Sequence, residues 1–410
     1  MDAVVALLPW LSVVLGVAVL PVWLYLGTLT LFSWRKRPPV DNTDQRLVCV
    51  VPAHNEKDGI AATVHSLLAA AYPADKRRVL VIADNCTDDT ADRARAAGAD
   101  VLVRFHEDKR GKGFALEAAF DKVLEDKDVD GAIVVDADTV VAPNLWRAVA
   151  SRLAAGDLAM QVTNAVRNPD AGWRPRLQAI AMAMINGVRS LGRERLGLSV
   201  GLRGTGMAFS RACLERVPHK VYGVVEDVEY GVRLGLAGIR VAFAPETWIR
   251  SDAPVNASTA LSQRRRWEGG RFALMKTLLP RVLAAAVKTR SRLLFDLACD
   301  LSVPPVSYPA LVVVTGLVIE GASVYATGAP TFAWPLWAFS FTALAAYVLR
   351  GVAFSGTGVM GLVALATAPG YIVWKIVIAR PWKGSDQWVR TRRASEEDAS
   401  ASASVEPPPR

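Results

Sequence analysis

The sequence predicts an α/β domain with a mostly parallel sheet, flanked by transmembrane helices. Composition is the first sign: 52% of the 410 residues are hydrophobic and 21% charged, too apolar for a purely soluble chain of this size. The second is that the apolar excess is gathered. Residues 3–34 and 351–374 carry no charge, and residues 301–349 carry only Glu320. The third is the stretch 41–292, which holds most of the charge and alternates short β-branched runs with segments of helical spacing. This distribution excludes disorder, collagen-like repeats, a disulfide scaffold and a plain cytosolic enzyme, and the length suits two or three domains.

A helix needs about 20 apolar residues to cross the hydrocarbon core, and residues 3–34 exceed that. A signal peptide would carry a basic segment first and a short apolar run. Here Asp2 precedes the run and Arg35-Lys36-Arg37 follows it. Residues 1–36 are therefore expected to be an N-terminal anchor, with residue 35 onward in the cytoplasm by the positive-inside rule. Residues 277–300 read as an amphipathic interface segment with Arg281, Lys288, Arg290 and Arg292. Residues 301–349 suffice for two spans joined by an uncharged outer loop at 327–335, and Arg350 follows. Glu320, late in its span, is expected at the outer interface.

The run 351–379 is different. One crossing would put Arg380, Lys383, Arg390, Arg392 and Arg393 outside, against the positive-inside rule. Two crossings need roughly 60 Å of helix, and this run supplies only about 43 Å at about 1.5 Å per residue. Pro369-Gly370 and Lys375 also interrupt it. An interfacial or re-entrant segment is expected, a fourth span with an outside tail being the alternative. Residues 301–379 thus form a C-terminal membrane region, and 394–410, rich in Ser, Ala, Glu and Pro, a disordered tail.

In the charged stretch, residues 47–52, 79–83 and 132–135 read as strands, and 59–71, 87–97 and 113–124 as helices. Such alternation implies helices on both faces of the sheet, with ligands bound beyond the carboxyl ends of the strands. Polar groups stand at those ends: Pro52-Ala53-His54-Asn55-Glu56, Asp84-Asn85-Cys86-Thr87-Asp88-Asp89 and Asp136-Ala137-Asp138. Any one alone reads equally well as helix capping. Three in register mark a site.

Strand residues two apart point to one side, so Asp136 and Asp138 are expected to face one site. Hard oxygen ligands of this kind suit Mg²⁺ or Mn²⁺ held with a diphosphate, against the plainer reading of an Asx-type turn. Lys109-Arg110-Gly111-Lys112-Gly113 opens a helix with three cations and two glycines. That pattern attracts phosphate, although it lacks P-loop spacing and also fits a solvated charge run. Val225-Glu226-Asp227 starts another helix, where a carboxylate serves as a general base or as a cap. Gln263-Arg264-Arg265-Arg266-Trp267 sets three diphosphate-binding guanidinium groups before a stacking indole, or a basic helix against anionic lipid. The net charge of +9 fits either. The four cysteines and four histidines form no metal-ligand pattern, and nothing resembles a nucleic-acid-reading element.

In this order VVPAHNE, DNCTDDT, DADT, VVEDVEYGVRLGLAG and QRRRW resemble the motifs of family 2 glycosyltransferases of the GT-A fold. The likeness is to the membrane-integrated branch with cellulose, chitin and hyaluronan synthases and shorter bacterial relatives. It implies a Rossmann-like, nucleotide-sugar-binding GT-A domain over residues 45–276. By that resemblance Pro52, Ala53 and Glu56 line the nucleotide pocket, Asp84 reads uracil, Lys112 neighbours the nucleotide, and Asp136 lies near the ribose or uridine. Asp138 ligates the divalent metal, and Asp227 is the catalytic base. Gln263, Arg266 and Trp267 hold the diphosphate and the acceptor sugar, and Gly204-Thr205-Gly206 resembles an acceptor-side loop. Val225 stands where the family usually has Thr, which leaves the base but removes a hydroxyl contact. Residues 380–393 contain QWVRTR, similar to a gating segment that closes over nucleotide, with Trp388, Thr391 and Arg392 as its contacts. Such a gate must be cytoplasmic.

The resemblance implies an inverting displacement from a UDP-sugar, dependent on Mg²⁺ or Mn²⁺, at the cytoplasmic face of a bacterial inner membrane. QRRRW favours a saccharide acceptor. The alternative is single transfer to a polyprenyl phosphate, sphingolipid or hopanoid-type lipid. Three spans and an interfacial piece barely enclose a channel, so an oligomer, an export partner or transfer of few sugars is implied. A catalytically dead scaffold is disfavoured, because both carboxylates of the DAD, Asp227 and Arg266-Trp267 are all retained.

Overall fold

The computed structural model describes residues 2–34 and 38–372. Helix α1 (Asp2–Leu31) leads into β1 (Leu47–Ala53), α2 (Ile60–Ala69), β2 (Arg77–Asp84), α3 (Thr90–Ala96), β3 (Asp100–Arg104), α4 (Lys112–Glu125) and β4 (Gly131–Val134). Then come β5 (Val140–Val141), α5 (Leu145–Ala154), β6 (Ala159–Val166) and α6 (Trp173–Met182), which runs through a π-helical turn (Ala183–Arg189) into α7 (Ser190–Arg195). Next are β7 (Met207–Ser210), α8 (Arg211–Arg216), α9 (Glu226–Leu236), β8 (Val241–Ser251), α10 (Ala257–Thr289) and α11 (Arg292–Ser302). The described chain ends with α12 (Ser307–Thr327), α13 (Trp334–Ser355) and α14 (Gly358–Leu365).

Strands β3-β2-β1-β4-β7-β6-β8-β5 form one eight-stranded sheet. Strands β1–β4, β6 and β8 all run the same way, and only β7 and β5 run against them, so the sheet is mixed but mostly parallel, as expected. Antiparallel pairing needs no helical crossover, and β7 enters directly from the 196–206 connection. Alternate residues of β1 feed the two cores. Leu47, Cys49, Val51 and Ala53 pack toward α2, α3 and α5, while Val48 and Val50 pack toward α4, α8 and α9. Burial on both faces is why this strand reads as an unbroken apolar run.

Among the described residues three helices are long and apolar enough to cross a membrane, over 9–31, 307–327 and 334–355. They share a core of Trp23, Val313, Trp337 and Tyr347. Gly316 admits the Trp337 ring, since a Cβ there would lie 2.3 Å from it. Glu320 is 1% exposed and buried against Thr331 of the connection between the second and third of these helices. Ser12 and the Thr331 hydroxyl and N–H donate to it, and the Trp337 indole donates to Ser12 at 2.8 Å. These donors satisfy the carboxylate in its buried position. Helix α13 continues past residue 349. Arg350 donates to Ser33 at 3.1 and 3.2 Å, and Gly351 lies against Met184 of the π-helical turn. At about 1.5 Å per residue α14 is too short to cross, and residues 373–379 of that run lie outside the described residues.

A buried charge cluster ties these helices to the sheet domain. Tyr25 of α1 donates to Asp296 of α11 at 2.8 Å, and Arg193 donates to the other Asp296 oxygen at 3.0 Å. Arg193 and Arg189 both pair with Asp300. Arg271 of α10 donates to the Asp300 carbonyl at 2.7 Å. Burial would push the Asp300 carboxyl up, but Arg189, Arg193 and Arg271 around it hold it far below the usual range. Removing one partner from such a cluster leaves buried charge uncompensated. Arg193→Leu is therefore expected to cost about 3–5 kcal/mol and lower the Tm of the detergent-solubilised protein by about 5–15 °C. An unchanged midpoint in differential scanning fluorimetry would refute the stabilising role.

Candidate active site

The floor is made by loops leaving β1 and β2. Pro52 and Ala53 are buried strand residues paired with Ile82 and Ala83. Asn55 and Asn85 then turn the chain with φ of 56° and 51°, a left-handed conformation that Asn tolerates. The Asn55 side chain accepts from Thr87 N–H at 2.8 Å, and Glu56 N–H donates to the Thr90 hydroxyl at 2.8 Å. His54 Nδ1 meets the Asp84 carbonyl at 2.8 Å. The Asp84 carboxylate is itself buried and engaged by the Arg104 guanidinium of β3.

Strand β4 stops at Val134, so Asp136 and Asp138 lie beyond it and strand alternation does not orient them. Their positions are set by other contacts. Asp136 N–H donates to the Thr205 hydroxyl at 3.1 Å, and the Ala137 carbonyl accepts from Thr63 at 2.8 Å. Ala137 is buried while Asp138 is exposed. The Asp136 carboxylate takes the ammonium of Lys112, which also donates to the Gly204 carbonyl at 2.7 Å. Burial would lower the Lys112 pKa, but Asp136, Glu226 and Asp227 outweigh it and raise the value.

Lys112 begins α4, and its neighbour Gly113 permits a close approach. A Cβ there would lie 2.1 Å from the Val221 carbonyl oxygen. That glycine is needed for packing against the 217–225 connection. Lys109 and Arg110 are exposed, as the solvated reading of that run expects.

Gly204 and Gly206 have φ of 75° and 66°. A Cβ on Gly204 would be 3.5 Å from Lys112 Nζ and 3.7 Å from Asp227 Oδ2. The ammonium and the carboxylate thus flank one bare stretch of backbone. Gln161, buried in β6, donates to the Thr205 carbonyl at 2.8 Å and accepts from Arg203 N–H at 2.9 Å. Arg203 is anchored on Asn186 at 3.0 Å. Neither Gln161 nor Arg203 belongs to a recognised motif. The visible signals are a glutamine inside the apolar run AMQVTN and an arginine directly before Gly204.

Asp227 lies in the first turn of α9 and accepts from Val228 N–H at 2.8 Å. Burial raises its pKa, while Val228 N–H, Lys112 and Arg203 pull it down. Glu226 is more deeply buried, and that desolvation pushes it up to about 7, with Lys112 opposing and Asp227 reinforcing. Helix α10 crosses this turn: a Cβ on Gly270 would be 3.0 Å from Val225. Gln263 and Trp267 lie on the same helix at i,i+4 spacing. The Gln263 side-chain oxygen is buried and has no hydrogen-bond partner among the described residues, and the Trp267 ring is 42% exposed. The Arg266 side chain, and Trp388, Thr391 and Arg392, lie outside the described residues.

The structure therefore gathers Lys112, Asp136, Gly204, Thr205, Glu226 and Asp227 into one centre, with Pro52, Ala53, Glu56 and Asp84 in the adjoining floor. Beside Lys112, Phe114 and Tyr222 stack with centroids 4.1 Å apart, an exposed aromatic platform absent from the sequence reading. A carboxylate beside an ammonium in a desolvated turn can accept a proton from a hydroxyl. Among the described residues no three His, Cys, Asp or Glu side chains form a metal-holding group. Mg²⁺ commonly takes only one or two carboxylates and completes its shell with water and substrate phosphate. Exposed Asp138 and neighbouring Asp136 fit that donor set.

Residues 45–270 match the family described as "Glycosyltransferase like family 2". Over 270 residues the chain is 28% identical to a beta-monoglucosyldiacylglycerol synthase of Synechocystis, covering 61% of this chain and 55% of that one. Over 264 residues it is 23% identical to a poly-beta-1,6-N-acetyl-D-glucosamine synthase of Staphylococcus aureus, covering 62% of each. It thus spans less than two thirds of either relative. A mannosyltransferase from Pyrobaculum calidifontis, solved with GDP-Man and Mn²⁺, shares the fold with a TM-score of 0.56 at 18% identity, over 84% of this chain and 98% of that one.

The carboxyl group of Glu226 gives this centre a pH signature. Its folded pKa of about 7 exceeds the ordinary 4.5, so its protonated form stabilises the fold. That contribution is complete below the unfolded value and is lost as pH rises through the folded one. Glu226→Gln is expected to flatten the fall in Tm between those two values. Parallel Tm–pH curves for variant and wild type would contradict the assignment.

Proposed function

The chain belongs to glycosyltransferase-like family 2, and we propose that it is an inverting, metal-dependent hexosyltransferase moving a sugar from a UDP-sugar to a saccharide acceptor at the cytoplasmic face of a membrane. The observation that carries this reading is that the Asp227 carboxylate and the Lys112 ammonium both lie against Gly204, 3.7 and 3.5 Å from where a Cβ would stand. Asp227 takes the proton of the acceptor hydroxyl as that oxygen attacks the anomeric carbon. The C–O bond to the diphosphate breaks in the same displacement, so the configuration inverts. Burial raises the Asp227 carboxyl above its ordinary value, as a base poised for a hydroxyl proton requires, while the Val228 N–H and Lys112 limit that rise.

Asp138, with Asp136, would hold Mg²⁺ or Mn²⁺, which offsets charge gathering on the departing diphosphate. Lys112 and Arg266 would add cationic contacts to the nucleotide and its diphosphate. Asp84, Glu56, Pro52 and Ala53 form the nucleoside side of the site, and the Phe114–Tyr222 platform flanks it. Gln263 and Trp267 receive the acceptor, the Gln263 oxygen, unpartnered among the described residues, being an acceptor for a sugar hydroxyl. The GT-A neighbour solved with GDP-Man and Mn²⁺ supports a nucleoside-diphosphate donor and a divalent cation. Residues 380–393 would close over the nucleotide, and residues 277–300 would lie along the interface.

A second reading is single transfer to a membrane lipid. The small membrane part favours it, since only three of the described helices can cross, and the glucosyldiacylglycerol synthase is a relative of that kind. Saccharide extension would need an oligomer or a separate export partner.

Scoring UDP and GDP release over a panel of sugar nucleotides, with saccharide or lipid acceptors, tests the donor and acceptor together. Release is expected with a UDP-hexose and is expected to stop on chelation of divalent cations. Asp227→Asn should lower transfer by about 10³-fold or more while calorimetric UDP affinity stays near wild type. Loss of nucleotide binding together with transfer would remove Asp227 from the role of base.

A further inference from the structure

Away from the transfer centre, a groove of about 650 Å³ opens between α1, α10 and α11. Its walls include Leu24 and Leu29 of α1, Leu196, Val287 of α10 and Phe295 of α11. Val287 is 78% exposed and Phe295 60%. Exposed apolar side chains lining one concavity mark a site for an apolar ligand. Two cations stand at its rim, Arg290 and Arg292, on the turn that joins α10 to α11. Both are exposed, and neither forms an ion pair with a described carboxylate. Arg290 adopts φ of 51°, a conformation costly for a non-glycine residue, and this sharp turn brings Arg290, Ser291 and Arg292 together at the rim.

The groove also has a defined depth. Its α1 residues are in the last turns of a candidate span that ends at Leu31, where hydrocarbon gives way to headgroups. Its floor contains Tyr25 and Asp296, but Arg193 already compensates the Asp296 charge. An anion entering the rim therefore meets net positive charge, and an acyl chain meets leucine, valine and phenylalanine.

We propose that this groove holds an anionic phospholipid from the leaflet next to the sheet domain, its phosphate between Arg290 and Arg292 and one acyl chain along Leu24, Leu29, Val287 and Phe295. Guanidinium groups bind phosphate oxygens in pairs; in a zwitterionic lipid the headgroup ammonium offsets the phosphate charge and weakens that attraction, and a lipid without phosphate offers the two cations no anion. The bound lipid would brace α11 against α1 beside the Tyr25–Asp296–Arg193 contacts, independently of the transfer chemistry.

The test is native mass spectrometry of the full chain in mild detergent, titrated with phosphatidylglycerol or phosphatidylcholine. The wild type is expected to retain phosphatidylglycerol with a preference of about tenfold or more. The double variant Arg290→Gln/Arg292→Gln should lose that preference. So should Val287→Glu, which puts a carboxylate into the groove from an exposed position. Arg281→Gln/Lys288→Gln removes the same charge from exposed positions off the groove and should keep it. Glycerol 1-phosphate, the headgroup without chains, should not compete. An equal loss in the off-groove variant would mean diffuse attraction to charge, and competition by glycerol phosphate a free-phosphate site. Either result, or retained preference in both groove variants, would overturn the proposal.

Discussion

Arg189, Arg193, Asp296 and Asp300 are charged groups that cannot be buried singly, because each would lose its hydration without a substitute. Together they can be, and only when α7, α11 and the π-helical turn meet in one arrangement. Tyr25 extends that condition to α1, and Arg271 extends it to α10. The cluster therefore acts as a keystone between the apolar helices and the sheet domain. The placement of the carboxyl ends of the strands relative to α1 follows from it. Charge pairs of this kind add little net stability over an apolar core, but they discriminate strongly between one docking geometry and its neighbours.

Within the sheet domain a smaller set of charges has the same logic and a different outcome. Lys112 neutralises Asp136 by contact and lies near Glu226 and Asp227, so three carboxyl groups share one ammonium. The balance is incomplete. Burial raises both carboxyl groups, Glu226 to about 7, and at Asp227 the Val228 N–H, Lys112 and Arg203 oppose that rise. Two adjacent carboxyl groups on one helical turn are thus surrounded differently, and groups whose surroundings differ can divide the roles of acid and base.

How much of this was legible in the chain depended on how local each feature is. LVCVVP, VLVIA and AIVV identify β1, β2 and β4 because strands buried on both faces are apolar throughout. The four residues of β7 have no such signature, and their antiparallel pairing depends on partners 40 or more residues away. Lys112, Gly204, Thr205 and Asp227 could be picked out because each sits in a recognisable run. Gln161 and Arg203 could not, since a glutamine in a strand acquires its function only when the register sets it beside the Gly204–Gly206 loop. Strand alternation does not reach Asp136 and Asp138, because the ladder ends at Val134, and contacts from Thr63 and Thr205 hold that turn instead. For Glu320, position in the span indicated depth but not the donors of Ser12 and Thr331 that hold it buried.

The contact between Gly270 and Val225 makes these two positions a single steric unit. Valine and threonine have nearly the same volume, so either can occupy position 225 without disturbing α10. Position 270 has no such latitude. Any side chain there would press on the residue immediately before Glu226 and tilt the opening turn of α9. Drift at position 270 would thus be transmitted to the acidic pair without altering either carboxylate, and chains that tolerate a larger residue at 270 should have shortened the one at 225.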